Sequence, residues 1–127
     1  MDTMKAVRVD VCGAPEQMSV KDVPTPQPGP GEVRIKLKAC GINLIDTYHR
    51  SGLYPLTLPT GLGCEGAGRV DALGEGVDDL REGDRVGFAM GLGAYAEAIV
   101  LPRGALVKIP AGVTDEEAAA VLLKAMT

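Results

Sequence analysis

The stretch GLGCEGAGRV, residues 61–70, sets four glycines within eight positions, and Gly61, Gly63 and Gly66 spell G-x-G-x-x-G. That spacing belongs to loops whose backbone N–H groups cradle a dinucleotide pyrophosphate at a helix N-terminus. Such a loop requires a strand before the first glycine and a helix after the last. The flanks supply neither. Leu56-Thr57-Leu58-Pro59-Thr60 precedes the stretch, and proline cannot donate to a strand ladder. Gly68 and Gly74 follow, each costing a helix about 1 kcal/mol relative to alanine, whereas Val70 and its apolar neighbours suit a strand. The stretch is expected to be a glycine-rich strand where two backbones approach closely. Glu65, set in its turn, is expected to be partly buried and so to need a partner or a raised pKa.

The other chemistry-bearing residues each admit a plain structural role. Cys12, Cys40 and Cys64 form an odd set without a C-x-x-C, so neither a disulfide framework nor a zinc ribbon follows, and a reducing cytoplasm is the expected compartment. Cys64 reads as a small buried thiol. Residues 43–50 carry no Gly or Pro and predict one or two helical turns ended by Ser51-Gly52. Asn43 suits the N-cap, and Asp46 can pair with Arg50 at i, i+4. His49, the single histidine, adjoins Tyr48 and is expected at the solvated surface.

The elements that must position these groups are mostly strands. Val7, Val9 and Val11 alternate with Arg8 and Asp10, and residues 5–11 read as a half-buried strand with the valines on one face. Residues 18–23 suit a second strand. A breaker run, 24–31, leads to the cleanest alternation in the chain: Val33, Ile35, Leu37 and Ala39 against Arg34, Lys36 and Lys38, the basic residues forming a solvated face. Strands are predicted over 66–73, 85–89, 95–101 and 105–109, with a charged turn at 78–84. Thr114 opens a capping box with Glu117, and a helix is predicted over 118–126.

The chain has 127 residues, 46% of them hydrophobic and 3% aromatic, with a formal net charge of −4. That suits one domain with an aliphatic core. The charge argues against nucleic acid or an anionic membrane as partner. No apolar run approaches the roughly 18 residues of a membrane span, and MDTMKAVRVD is too charged for a signal peptide. Many short strands separated by turn signals predict an all-β barrel with a short internal helix and a C-terminal helix.

KACGINLIDTYHRSGLYP, LPTGLGCEGAGRVDALGEGV, EGDRVGF, GAYAEAIV and AAAVLLKAMT together resemble the medium-chain dehydrogenase/reductase superfamily in its zinc-independent quinone oxidoreductase (zeta-crystallin-like) branch. The resemblance implies a GroES-like catalytic domain over 1–113, with 114–127 starting the helix toward a Rossmann domain that is absent here. By resemblance the parent is a cytoplasmic, NADPH-dependent enzyme, homo-oligomeric, passing hydride to a quinone or similar electrophilic acceptor. The isolated chain is expected to be inactive. Asn43, Asp46 and Tyr48 would line the cleft as catalytic groups, Asn43, Tyr48 and Thr127 would face NADPH, and Tyr54 would pack on the acceptor. A stand-alone GroES-like binding module without catalysis is the alternative.

Zinc-dependent relatives carry G-H-E where this chain has Gly63-Cys64-Glu65, and a zinc-ligating Cys at the place of Asn43. Catalytic zinc takes three protein ligands and keeps one open position, and an asparagine amide is a poor member of such a set. No zinc is therefore expected, although Cys64 with Glu65 and Asp46, or Cys40 with His49, offer donors.

Overall fold

The computed structural model describes residues 2–53, 56–89 and 91–126, the side chains of 121–126 excepted. Among the described residues, eight strands and two α-helices follow in the order β1 (Thr3–Val9), β2 (Met18–Pro24), β3 (Glu32–Gly41), α1 (Leu44–Ser51), β4 (Thr60–Gly61), β5 (Glu65–Leu73), β6 (Arg85–Ala89), β7 (Ala98–Pro102), β8 (Leu106–Lys108) and α2 (Asp115–Met126). They form the mainly β architecture that the turn spacing implies. All strand pairs are antiparallel, in sheets of order β2-β1-β4 and β7-β3-β5-β6-β8. The segment before β7 stitches the sheets together. Val7 donates its N–H to the Tyr95 carbonyl at 2.8 Å and Glu97 donates to that of Lys5 at 3.1 Å, while Leu37 donates to the Glu97 carbonyl at 2.9 Å.

The alternation in β3 is real: Val33 and Ile35 are fully buried with Val70, Val86, Phe88, Ile99 and Leu101, while Lys36 and Lys38 are exposed. Arg34 departs from the solvated face. It pairs with Asp71 at 2.8 Å on the neighbouring strand. In β1 the expected valine face is not formed. Met4, Ala6 and Val9 are buried and Val11 lies exposed beyond the strand. The parity breaks because β1 changes partners along its length, bridging Ala6 to Ala96 and then pairing Arg8 and Val9 with β4.

The glycine stretch of 61–70 is a turn leading into β5, not a loop leading into a helix. β5 lies between β3 and β6, and at Gly68 a side chain would run into the Lys36 carbonyl and the Leu37 Cα, the latter at 2.9 Å. Close approach of two backbones is thus the role of this glycine. β5 also carries Ala67, against which Ala118 and Ala119 of α2 are buried. Thr114 and Glu117 exchange the two capping-box hydrogen bonds, each 3.1 Å, and Arg85 ties the start of α2 to β6 through Asp115 at 3.1 Å.

Gly68→Val is expected to destabilise the chain by roughly 1–3 kcal/mol, the cost of overpacking a closed interface. A urea titration with an unchanged midpoint would refute that role.

Candidate functional site

Four segments meet at one end of the barrel: the end of β3, α1, the turn before β5, and the segment before β7. Asn43 takes the extended N-cap conformation of α1 (φ −130°, ψ 155°). Its backbone N–H is accepted by Asp46 Oδ2 at 3.1 Å, and its amide Nδ2 donates to Glu65 Oε1 at 3.0 Å. One residue therefore starts the helix and supplies the partner that a buried Glu65 demands. Glu65 is fully buried at the first position of β5, as its place in the turn implied.

Asp46 is only 4% exposed. Its Oδ2 also accepts the hydroxyl of Tyr95 in a short hydrogen bond, while its Oδ1 is buried without a hydrogen-bond partner. The expected pairing with Arg50 is absent. Arg50 instead donates through Nε to the Gly13 carbonyl at 3.1 Å and accepts the Gly13 N–H, so it fastens α1 to the loop before β2. Gly63 makes room for the Tyr95 ring. Its φ is +94°, and a side chain there would meet the ring at 2.6 Å.

Electrostatics follow from this enclosure. Burial, the hydrogen bond to Asp46 and the Asp46 charge, in that order, hold the Tyr95 phenol well above its ordinary pKa. Burial and then the Asp46 charge push the Cys64 thiol up to about 11 and raise that of Cys40. Tyr95 is accordingly a proton-bearing donor rather than a base.

Beside this network lies a hollow of about 410 Å³, bounded by Asn43, Asp46 and Tyr95 on its polar side and by Met18, Ile42 and Leu62 on its apolar side. Such a space suits a flat apolar ring with a polar group at one end. Of the site residues expected from the sequence, Asn43 and Asp46 line it. Tyr48 lies two positions after Asp46 on α1, about 200° round the helix, and does not line it. Tyr54 and Thr127 lie outside the described residues.

Two residues of the site are not marked out by the sequence pattern. In the sequence Tyr95 stands only at the start of the predicted strand 95–101. The signal for it was indirect: a buried Asp46 requires a donor, and the chain has few tyrosines. His49 is not a solvated surface residue, because its Nδ1 is buried. The i, i+3 spacing from Asp46 brings the two onto one face, and that spacing was legible.

Residues 29–111 match the model of the alcohol dehydrogenase GroES-like domain. The chain is 50% identical over 125 residues to a quinone oxidoreductase of Pseudomonas aeruginosa, covering 97% of itself and 38% of that protein. Among solved structures it is similar to the quinone oxidoreductase of Pseudomonas syringae pv. Tomato (47% identity, TM-score 0.89, 91% of this chain and 36% of that one). It is likewise similar to an Escherichia coli quinone oxidoreductase complexed with NADPH (39% identity, TM-score 0.89, 92% and 36%). The chain thus spans little more than a third of the length of these relatives.

Tyr95→Phe leaves the buried Asp46 short of a donor and is expected to cost roughly 1–3 kcal/mol, read as a shift of the urea midpoint. At mildly alkaline pH an alkylating reagent is expected to label exposed Cys40 well before buried Cys64. Peptide mass mapping with the reverse order would contradict the enclosure of Cys64.

Proposed function

Because the chain belongs to the alcohol dehydrogenase GroES-like domain family, we propose that it supplies the acceptor-binding barrel of an NADPH-dependent quinone oxidoreductase. The observation that carries this reading is the hollow itself, apolar along its walls and polar at Asn43, Asp46 and Tyr95. A quinone has the matching form, a flat ring with a carbonyl oxygen to be polarised.

The fit to NADPH is partial. The residues around the hollow suit a ring-sized group, but the turn at 62–64 leads into a strand and offers no helix N-terminus to a pyrophosphate. In the proposal, Asn43, Tyr48 and Thr127 face the nicotinamide end, Tyr54 packs on the acceptor, and the phosphates are held by a Rossmann domain of a longer parent, to which residues 114–127 lead. Bound NADPH supplies the hydride.

The chain's own residues then do three things. Met18, Ile42 and Leu62 bind the acceptor ring and exclude water from it. A phenol stabilises the negative charge that develops on the acceptor oxygen. Tyr48 fills that role by family resemblance, and Tyr95 is the phenol that the hollow presents. Asp46 positions the Tyr95 ring, and Asn43 holds Asp46 and Glu65 in register. No zinc enters this reading, since Asn43 occupies the place of a zinc-ligating cysteine and spends its amide on Glu65. The reading carries with it a cytoplasmic, homo-oligomeric parent, in keeping with three free thiols. No helix among the described residues is long and apolar enough to cross a membrane.

Binding is tested by titrating a small benzoquinone or naphthoquinone into the purified chain and following tyrosine quenching. Saturable binding that Ile42→Asp, at an exposed position lining the hollow, abolishes is expected, without NADPH oxidation by the chain alone. Absence of quinone binding would overturn the proposal. In a full-length parent, Tyr48→Phe and Tyr95→Phe separate the two phenols. The one that serves the reaction is expected to lower kcat about a hundredfold, and unchanged turnover in both would remove the phenol from the mechanism.

A further inference from the structure

A second cavity, of about 340 Å³, is enclosed by residues of β1, β4 and β7 and shares no lining residue with the hollow. Its walls are mostly apolar, with Met4, Pro26, Pro59, Leu92 and Ile99 among them. Two of its lining side chains are polar. One is Thr60, whose hydroxyl is spent as a donor to the Gly61 carbonyl at 2.9 Å. The other is Arg8, the one ionisable residue of the lining.

Arg8 is half-buried, and its Nε is buried without a hydrogen-bond partner among the described residues. Carboxylates nearby in β1 and β2 or beside them are committed to lysines. Asp22 pairs with Lys5 at 2.6 Å and Asp10 pairs with Lys21. Arg8 itself enters no ion pair among the described residues. A guanidinium withdrawn from water is normally paired. A cavity whose single charge lacks a counter-charge therefore has the form of an anion site.

We propose that this cavity binds a small monocarboxylate with an apolar body, an aryl or short aliphatic acid. The walls require the apolar body, since a polar one would be desolvated there without partners. The volume lies near the lower end of the roughly 300–1,000 Å³ of ligand sites, which keeps the acid small. One cation balances one negative charge, whereas a phosphate monoester carries about −1.5 to −2 near neutral pH and would find no second donor on the lining side chains. The planar guanidinium fork also matches the two oxygens of a carboxylate. A rotation of the Arg8 side chain that turns Nε toward the cavity pairs the fork with both oxygens. No covalent bond is made or broken. The site stands apart from acceptor binding but adjoins it, because Gly61 lines the cavity and Leu62 the hollow.

The test is a calorimetric titration of 3-phenylpropionate, and of its uncharged amide, into the purified chain near neutral pH. It needs neither NADPH nor quinone, so its failure is distinct from failure of the hydride reading. The expected result is saturation by the acid at a single equivalent, with the amide bound at least about tenfold more weakly. Inorganic phosphate is expected not to displace the acid. Arg8→Gln is expected to weaken the acid by the same factor and to leave the amide unchanged. Leu92→Asp, at an exposed position on the lining, is expected to abolish acid binding by setting a competing carboxylate there. The same charge change at exposed Val107, which does not line the cavity, is expected to leave binding intact, with circular dichroism confirming the fold of each variant. No saturable binding of the acid, equal affinities for acid and amide, displacement by phosphate, or undiminished acid binding in folded Arg8→Gln would each overturn the proposal. So would loss of acid binding in Ile42→Asp together with its retention in Arg8→Gln, which would put the acid in the hollow.

Discussion

Two carboxylates buried where α1 meets β5 set the constraint on which the rest of the site depends. A carboxylate removed from water is costly unless donors surround it, and here Glu65 is 0% and Asp46 4% exposed. Their demands explain neighbours that otherwise look unrelated. Asn43 is both the N-cap and the donor to Glu65. Tyr95 reaches across from another segment to Asp46. Gly63 is a glycine because a side chain there would displace the Tyr95 ring. The hollow exists beside this network because its polar edge is held rigidly by groups already committed to one another.

The same constraint accounts for the glycine pattern. A G-x-G-x-x-G string is a statement about backbone approach, and the flanking elements decide what approaches. In a dinucleotide loop the neighbour is a phosphate. Here the neighbours are the backbone of β3 at Gly68 and the Tyr95 ring at Gly63. The identical letters serve packing, and the pyrophosphate has no helix N-terminus to meet.

Much of this was legible before the structure, and the division is physical. β3 was plain because one face is buried and the other solvated, so side-chain type alternates with the pleat. Both helices were marked by their caps, Asn43 and the Thr114–Glu117 box. The burial of Glu65 followed from its place in a glycine turn. The face of β1 was misjudged because its burial depends on strand partners remote in the sequence, and alternation carries no information about those. The role of Tyr95 is hidden for the same reason, since its partner Asp46 lies 49 positions away. His49 differs. Its nearness to Asp46 is local, set by i, i+3 geometry on α1.

Asp46 shows how one buried carboxylate can organise the groups around it. Oδ2 belongs to the hollow, where it fixes the Tyr95 phenol and the first turn of α1. The Cys64 thiol, in the turn before β5, is also hydrogen-bonded to the Asp46 carboxylate, which adds to its raised pKa. A barrel satisfies its backbone through strand pairing, so unsatisfied groups collect where strands end and a helix begins. That junction is also where side chains from several elements converge without closing the core. The hollow is therefore the consequence of a single feature: a carboxylate buried at the end of the sheet, held by the Asn43 N–H and the Tyr95 hydroxyl.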